Sequence, residues 1–402
     1  MKRREWIENP KVVFHPDWLK RYRKDPFSVP PIYLEISPAG ACNHRCTFCA
    51  PEMLGYQTRF LNPEILRLRF EEMKAMREAD PDGLGVRSIQ FAGEGEPTLH
   101  RGFGKMLGFA RAVGIDVGVL TNATGLVRNR LPEILPNVNG YLQVSVNAGI
   151  AESYAAIHQT KPRDWDLIWN NLSEAVNFKR QFGLECDIGA NMTVLVKDIR
   201  DERGNVVPAN WQEMEALARK ARDTGLDYVS FKPYSQHPYS VATARHYGDM
   251  SYAETLPEIV AIGERLKNEL NSPGFEVVFR FTRFKEYEDE RHYTVCRATP
   301  AIWSYIQSDG VWISCSAHWT NEAFHLGNIN TETVREIWFG DKRRRHLKFV
   351  LEKLDISVCR KTCHPDKENA FLDKLAGFSE AEFDAWLEGV RELDKPKRAN
   401  FI

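Results

Sequence analysis

Cys42-Asn43-His44-Arg45-Cys46-Thr47-Phe48-Cys49 puts three thiols into eight consecutive residues. Three sulfurs so close cannot all pair as disulfides, but they can face one compact metal centre. Soft thiolates select an iron–sulfur cluster or zinc. Three of them on a four-iron cluster leave one iron without a protein ligand, and an open metal position is where a small molecule can coordinate. Cys296, Cys315, Cys359 and Cys363 form a second group near the end of the chain, so seven of the eight cysteines are grouped. Iron–sulfur chemistry is the first reading of both groups and zinc the alternative.

Around the cysteine loop, strand-like runs at 31–36, 86–91, 115–120, 141–146, 184–195 and 228–231 alternate with helical stretches such as 63–79, 164–182 and 211–224. Six strands with crossover helices call for an α/β fold with a parallel sheet. Such sheets collect their active-site loops at the carboxyl ends of the strands. The cysteine loop follows strand one, Glu96 follows strand two, Thr121-Asn122 follows strand three, and Ser145 with Asn147 ends strand four, so all converge on one mouth.

At 402 residues and 43% hydrophobic content, the chain can fill one large barrel and a smaller module. A formal net charge of −1 predicts no general attraction to polyanions, and the basic runs 2–4 and 342–345 lack spaced aromatic residues. No nucleic-acid partner is expected. With no run of 18 apolar residues and no apolar signal segment after the basic start, no membrane is expected either, and the cytoplasm is the simplest location. Reduced cysteines fit that compartment.

The triad, with Phe48 just before its last cysteine, resembles the cluster loop of the radical S-adenosylmethionine (radical SAM) enzymes. Gly95-Glu96-Pro97 resembles that family's methionine-amine motif, Ser145-Val146-Asn147 its ribose-contacting strand end, and Ile188-Gly189 its adenine-contacting strand. The likeness covers residues 31 to about 235. It implies a partial (β/α)6 barrel in which Cys42, Cys46 and Cys49 hold a [4Fe-4S] cluster that binds S-adenosyl-L-methionine. Glu96 would accept hydrogen bonds from the cofactor's ammonium, with Gly95 permitting close approach. Ser145 and Asn147 share a strand face and would hold the ribose; Phe48 and Ile188 would pack near the adenine. Asn191 is a further cofactor or substrate contact. The ordinary alternatives are a turn, a polar strand end, a loop wedge and a strand hydrophobe. One departure stands out: the family's usual double glycine before Glu96 is here Glu94-Gly95, which sets a second carboxylate beside the expected amine site.

The later region reads as strand, turn at Gly310, and strand ending at Cys315. With Cys296, Cys359 and Cys363 it resembles the SPASM/Twitch auxiliary-cluster modules appended to many radical SAM enzymes, as do Leu326-Gly327-Asn328-Ile329 and Val334 to Trp338. That implies a small α+β module over 290–370 with one auxiliary [4Fe-4S] cluster. Full ligation by four cysteines favours electron transfer or scaffolding. Flanking it are an extension at 1–30, a barrel at 31–240, a connecting helix and strand at 241–289, and a helix and tail at 371–402. Cys186 lies low on strand five and reads as a small buried hydrophobe. His318 and His325 read as ordinary surface or core residues, and 198–210 as a polar excursion.

The segment 231–240 follows strand six and carries an amine, an imidazole and hydroxyls, which suits a polar substrate; Lys232 and His237 are the candidate substrate contacts. The resemblance implies abstraction of a carbon-bound hydrogen through a 5′-deoxyadenosyl radical, with electrons from a flavodoxin- or ferredoxin-type donor. The expected reaction is oxidation of a secondary alcohol on a carbohydrate-like or aminocyclitol small molecule. Epimerisation is the alternative, then peptide modification, and a structural or sensory iron–sulfur protein is the non-enzymatic one.

Overall fold

A computed structural model describes residues 10–201, 203–235, 250–360, 362–391 and 393–402. Its core is one ten-stranded sheet. Strands Tyr33–Ile36 (β1), Ser88–Phe91 (β2), Asp116–Thr121 (β3), Tyr141–Ser145 (β4) and Asp187–Val194 (β5) pair in parallel in that order. A small antiparallel hairpin follows, Ile199–Arg200 (β6) with Val206–Val207 (β7). It occupies the expected polar excursion, where the Asp201 carboxylate accepts the backbone N–H groups of Arg203 and Asn205 and folds the turn.

The main sheet continues through Tyr228–Pro233 (β8) and Glu276–Phe279 (β9), both parallel to their neighbours. On the other side of β1 lies Trp303–Ile306 (β10), again parallel, and then the antiparallel Val311–Ile313 (β11) and His325–Asn328 (β12). β12 and β9 are the two ends of the sheet order. The small α+β module therefore adds its strands to the same mixed sheet, and the strand of the connecting segment becomes a further parallel one.

Strand alternation divides the sheet into two faces. Leu34, Ile36, Ile89, Phe91, Val117, Val119, Leu142, Val144, Ile188 and Phe231 are buried against the helix layer. Burying each such side chain contributes roughly 1.5–3 kcal/mol. Glu35, Gln90, Tyr141, Gln143, Asn191, Ser230 and Lys232 point the other way and line a lumen of about 670 Å³. The helices that close the outer face have local causes. Helix Pro63–Ala79 starts where the Asn62 side chain accepts from the backbone of Glu64 and Ile65, with Pro63 in its first position. Helix Arg163–Phe182 stops at Gly183, whose φ of 59° suits the left-handed cap.

A second core joins the two ends of the chain to the module: Trp18, Leu19 and Tyr22 pack with Ala301, Trp303, Leu372, Phe383 and Leu387. The tail then plugs the base of the lumen. Phe401 packs where a side chain at Gly140 or Gly118 would come within 2.6 or 3.0 Å of its ring. Asn400 donates to Asp116 at 2.7 Å and accepts at its carbonyl from the Ser88 hydroxyl. Among the described residues no helix is long and apolar enough to cross a membrane.

Candidate active site

The cysteine loop hangs on the end of helix Ala151–His158. Arg45 N–H donates to the His158 carbonyl and Thr47 N–H to that of Ile157, both at 3.0 Å. The loop is also fixed from the second strand, because Gly95 N–H bonds to the Ala39 carbonyl at 2.9 Å and Glu96 N–H to that of Ala41 at 2.8 Å. A Cβ on residue 95 would overlap the Ala41 carbonyl oxygen, so glycine is required there. Burial pushes the Cys42 thiol up to about 12, with Glu96 and Cys49 adding to it. Tyr56 adjoins these sulfurs, hydrogen-bonded with Cys49, and its hydroxyl is raised by burial and by Cys49, Cys46 and Cys42. Three soft donors gathered on one loop fit a positively charged metal centre.

Two imidazoles stand at the loop, His44 from within it and His158 from the helix end. The His158 Nε2 is 2.9 Å from the Val146 carbonyl, which can only accept, so Nδ1 is left as an acceptor 3.0 Å from the Cys46 sulfur. Burial drives His158 down to about 3 and His44 down to about 4, so both stay neutral. His44, Cys46 and His158 bring their ligand atoms within 4.8 Å of one another.

Glu96 is 3% exposed. Its Oε1 accepts from Thr98 N–H and from the hydroxyls of Thr98 and Thr121, and its Oε2 from Asn122 N–H at 2.7 Å. That leaves one lone-pair direction, on Oε2. Burial raises its pKa despite these donors. A buried carboxylate that has no basic side chain in ion-pair reach among the described residues suits an ammonium brought by a ligand. Pro97, next to it, is buried and opens the short 3-10 turn Pro97–Leu99.

Glu94 is not the second acid at that position. Its carboxylate accepts from Arg59 at 2.9 Å and from Ser308 N–H at 2.8 Å, and Arg59 also reaches Asp309 at 2.5 Å. The residue that replaces the family's glycine thus ties the cysteine-loop side of the barrel to the β10–β11 turn of the module.

The remaining expected contacts divide. Asn191 is 2% exposed, lines the lumen, and has an amide oxygen that meets no donor among the described residues. Asn147, at φ 57°, uses its amide oxygen to accept from Thr193 N–H at 2.8 Å, clamping the end of β4 to β5. Ser145 is half-buried at the end of β4. Phe48 is edge-on to Tyr234, ring centroids 6.5 Å apart. Ile188 does not face the lumen: Asp187 and Asn191 do, so Ile188 and Cys186 face the helix layer, where both are fully buried. The buried-hydrophobe reading of Cys186 agrees with this, and burial raises its thiol to about 11. Lys232 lines the lumen, its pKa lowered to about 8 by burial and by Arg280, Arg283 and Arg360. His237 lies outside the described residues.

Several lumen residues carried no signal in the sequence reading. Glu35 accepts from Tyr33 at 3.3 Å and Gln90 at 3.1 Å, and burial raises it to about 7. His364, next to Cys363, is 3.9 Å from Glu35.

Cys296, Cys315, Cys359 and Cys363 line one small pocket walled by Trp303, Phe324, Leu354 and Ile356. Burial raises all four thiols, Cys296 to about 12 and Cys315 to about 11, and neighbouring cysteines add to the rise at Cys296, Cys315 and Cys363. Asn369 donates to the Cys296 sulfur at 3.6 Å while accepting from Arg297 and Ala298 N–H, which holds that loop in place. Four thiols in one apolar pocket fit a fully ligated metal centre.

Comparison with known proteins agrees with this arrangement. Residues 36–181 match the Radical SAM superfamily and residues 296–364 the SPASM iron–sulfur cluster-binding domain. Over 134 residues the chain is 34% identical to GTP 3′,8-cyclase 2 of Pseudomonas aeruginosa, covering 33% of this chain and 38% of that protein. Over 218 residues it is 29% identical to GTP 3′,8-cyclase of Thermodesulfovibrio yellowstonii, covering 54% and 61%. The chain thus spans about two fifths to three fifths of those relatives. Among solved structures, Streptococcus suis SuiB bound to S-adenosylmethionine is similar in fold, with a TM-score of 0.58 at 17% identity over 80% of this chain and 68% of that one. The anSMEcpe protein with bound AdoMet and a peptide gives 0.51 at 16% identity over 90% and 95%.

Proposed function

We propose, for a chain that belongs to the radical SAM superfamily and carries a carboxy-terminal SPASM domain, that it oxidises a secondary alcohol of a small polar molecule, carbohydrate-like or aminocyclitol, inside its lumen. The observation that carries this reading is the lumen itself: about 670 Å³, lined by Glu35, Gln90, Gln143, Asn191 and Lys232, and without a cysteine among its described lining residues. A sugar-sized polyol needs such a set of donors and acceptors, and the described lining offers no thiol to return a hydrogen atom, as epimerisation by a cysteine donor would need.

Cys42, Cys46 and Cys49 would hold the [4Fe-4S] cluster that binds S-adenosyl-L-methionine, Glu96 its ammonium, Ser145 and Asn147 its ribose, with Gly95 and Pro97 shaping the turn. Bound there, that pair supplies a radical that takes a carbon-bound hydrogen. Phe48 shields the loop, and the Asn191 amide oxygen, short of a donor, suits a hydroxyl of cofactor or substrate. Lys232 orients the substrate oxygen. Glu35, poised at about 7, can accept the hydroxyl proton, held in place by Tyr33 and Gln90. His237 remains a candidate substrate contact. Cys296, Cys315, Cys359 and Cys363 would hold a second, auxiliary [4Fe-4S] cluster, suited to electron acceptance, and a flavodoxin- or ferredoxin-type protein would be the reductant.

The test is anaerobic turnover of a candidate-metabolite pool in deuterated water, read by mass spectrometry. Oxidation gives a product lighter by two hydrogens, with no solvent deuterium at the reacting carbon. A product of unchanged skeleton that has gained one deuterium at an inverted carbon overturns the reading.

A further inference from the structure

The rim of the lumen holds more positive charge than its acids neutralise. β9 pairs with β8 so that Phe279 stands opposite Phe231, and Arg280 N–H donates to the Phe231 carbonyl at 3.1 Å; Arg280 therefore follows the strand end beside Lys232. Arg283 lies one helical turn on, and Arg360 comes from the module loop between Cys359 and Cys363. All four line the lumen. Among the described residues none of the four has a carboxylate within ion-pair distance. The side chain of Arg283 donates to the His364 carbonyl at 3.2 Å, and the Nε atoms of Arg280 and Arg360 are buried without an acceptor among the described residues.

Crowding like charges out of water is costly unless a counter-charge enters. The depression of Lys232 to about 8 and of Arg280 to about 10, each led by burial, registers that crowding. Glu35 and Glu368 line the same space, and burial raises both, Glu35 to about 7, so two carboxylates face these four cations and Lys11. Guanidinium groups present planar pairs of donors that match a carboxylate or phosphate bidentately. A cationic aminocyclitol would add to the repulsion.

We propose that the substrate carries an oxyanion, a carboxylate or a phosphate, and that Arg280, Arg283 and Arg360 bind it at the rim of the lumen, where the β9 end meets the Cys359–Cys363 loop. This rests on the lumen being the substrate chamber of the reaction proposed above. It narrows the substrate class to acidic or phosphorylated sugars and sets aside the aminocyclitol. Because Arg360 lies between two cysteines of the module, the acidic group is held where barrel and module meet.

The test is calorimetric titration of the anaerobically reconstituted full chain, with S-adenosyl-L-methionine present, against glucuronate, glucose 6-phosphate, glucose and streptamine. Glucuronate or glucose 6-phosphate should bind at least about tenfold more tightly than glucose or streptamine, and whichever is tighter identifies the group. Arg280→Gln and Arg360→Gln should each weaken that binding about tenfold or more, the scale of a lost charge-assisted hydrogen bond. Arg128→Gln, on an exposed residue, should not change it. Should Arg280→Gln fail to fold, Arg360→Gln on the module loop makes the same comparison. Glucose or streptamine binding as tightly as the acids, no binding of either acid, or unchanged affinity in a folded variant would each overturn the proposal. Binding is read without turnover, so a failed oxidation assay leaves this result intact, and a failed titration leaves the oxidation assay to be judged alone.

Discussion

The two cysteine sites differ in how the chain builds them. Cys42, Cys46 and Cys49 sit on one short loop, held by the carbonyl end of a single helix and by the turn at Gly95. Cys296, Cys315, Cys359 and Cys363 come from separate stretches: one precedes β10, one follows β11, and two lie before helix Asp366–Ala376. The first site can be pre-shaped by local geometry. The second exists only once the module has folded, and a centre bound there cross-links segments far apart in sequence. Metal should therefore serve chemistry at the first site and stability at the second.

The largest expected effect tests that division. Replacing Cys42, Cys46 and Cys49 together by Ala should abolish cleavage of S-adenosyl-L-methionine and remove about half the iron, as expected of two four-iron centres, with little change in melting temperature. Cys359→Ala with Cys363→Ala should remove the other half and lower stability by several kcal/mol, because binding free energy at a site absent from the unfolded chain is folding free energy. Iron analysis and calorimetric melting check both. Equal destabilisation by the two sets would break the comparison, and one equivalent of zinc in the second site would reassign its chemistry.

Gly95→Ala comes next. The added methyl must displace the Ala41 carbonyl, the backbone just before Cys42, and overpacking of this kind costs about 1–3 kcal/mol or more. Cofactor affinity should fall together with stability, while the module's cysteine pocket keeps its iron. A variant with parent-like affinity would show that the loop is not positioned from β2.

What the sequence made legible follows the same division between local and distant. The helix at 63–79 is readable at its start, because Asn62-Pro63 is a cap and a first turn together. The β8 strand runs past its expected end at residue 231 because Lys232 and Pro233 still pair with Thr193 and Val194. Ile188 and Asn191 differ by an odd number along one strand, so period-two alternation already forbids both from facing the lumen. Asn191 does so and Ile188 does not. His158 beside Cys46, and Phe401 against Gly118 and Gly140, join positions far apart in the chain with no spacing to announce them. The role of Glu94 was hidden for the same reason, since its partners are Arg59 and Ser308.

Glu35 gives a pH test on the lumen side of the sheet, where Arg360 and His364 of the module also reach it. Burial raises it to about 7 from the usual 4.5, partly offset by Arg360, the Tyr33 hydroxyl and Lys232. The folded state therefore binds more protons than the unfolded one between those values, so stability falls as pH rises through that window. Glu35→Gln should flatten the decline, with a gain above pH 7 of at most a few kcal/mol, and should slow turnover by removing the proton acceptor. Melting curves from pH 4 to 8 decide: a slope unchanged in the variant would mean that another group titrates. The iron in either site should not respond.

The smallest effect lies on the link between the two regions. Glu94→Gly restores the family's double glycine and removes the acceptor shared by Arg59 and Ser308 N–H. Glu94 is buried but Arg59 is about a third exposed, with side-chain exposures of 9% and 36%, so solvent screens the pair. The loss is then mainly one buried backbone hydrogen bond, about 1 kcal/mol. Arg59 keeps Asp309, which limits the damage further. Affinity for S-adenosyl-L-methionine should stay within twofold, because Glu94 turns toward the module and Glu96 remains capped by Thr98, Thr121 and Asn122. Calorimetric binding beside a melting curve separates the two quantities. A fall in affinity without a fall in stability would mean that the carboxylate acts at the cofactor after all. Loss of both would mean that the β10–β11 turn helps to shape the cysteine loop, so that the two sites are built less independently than their connectivity implies.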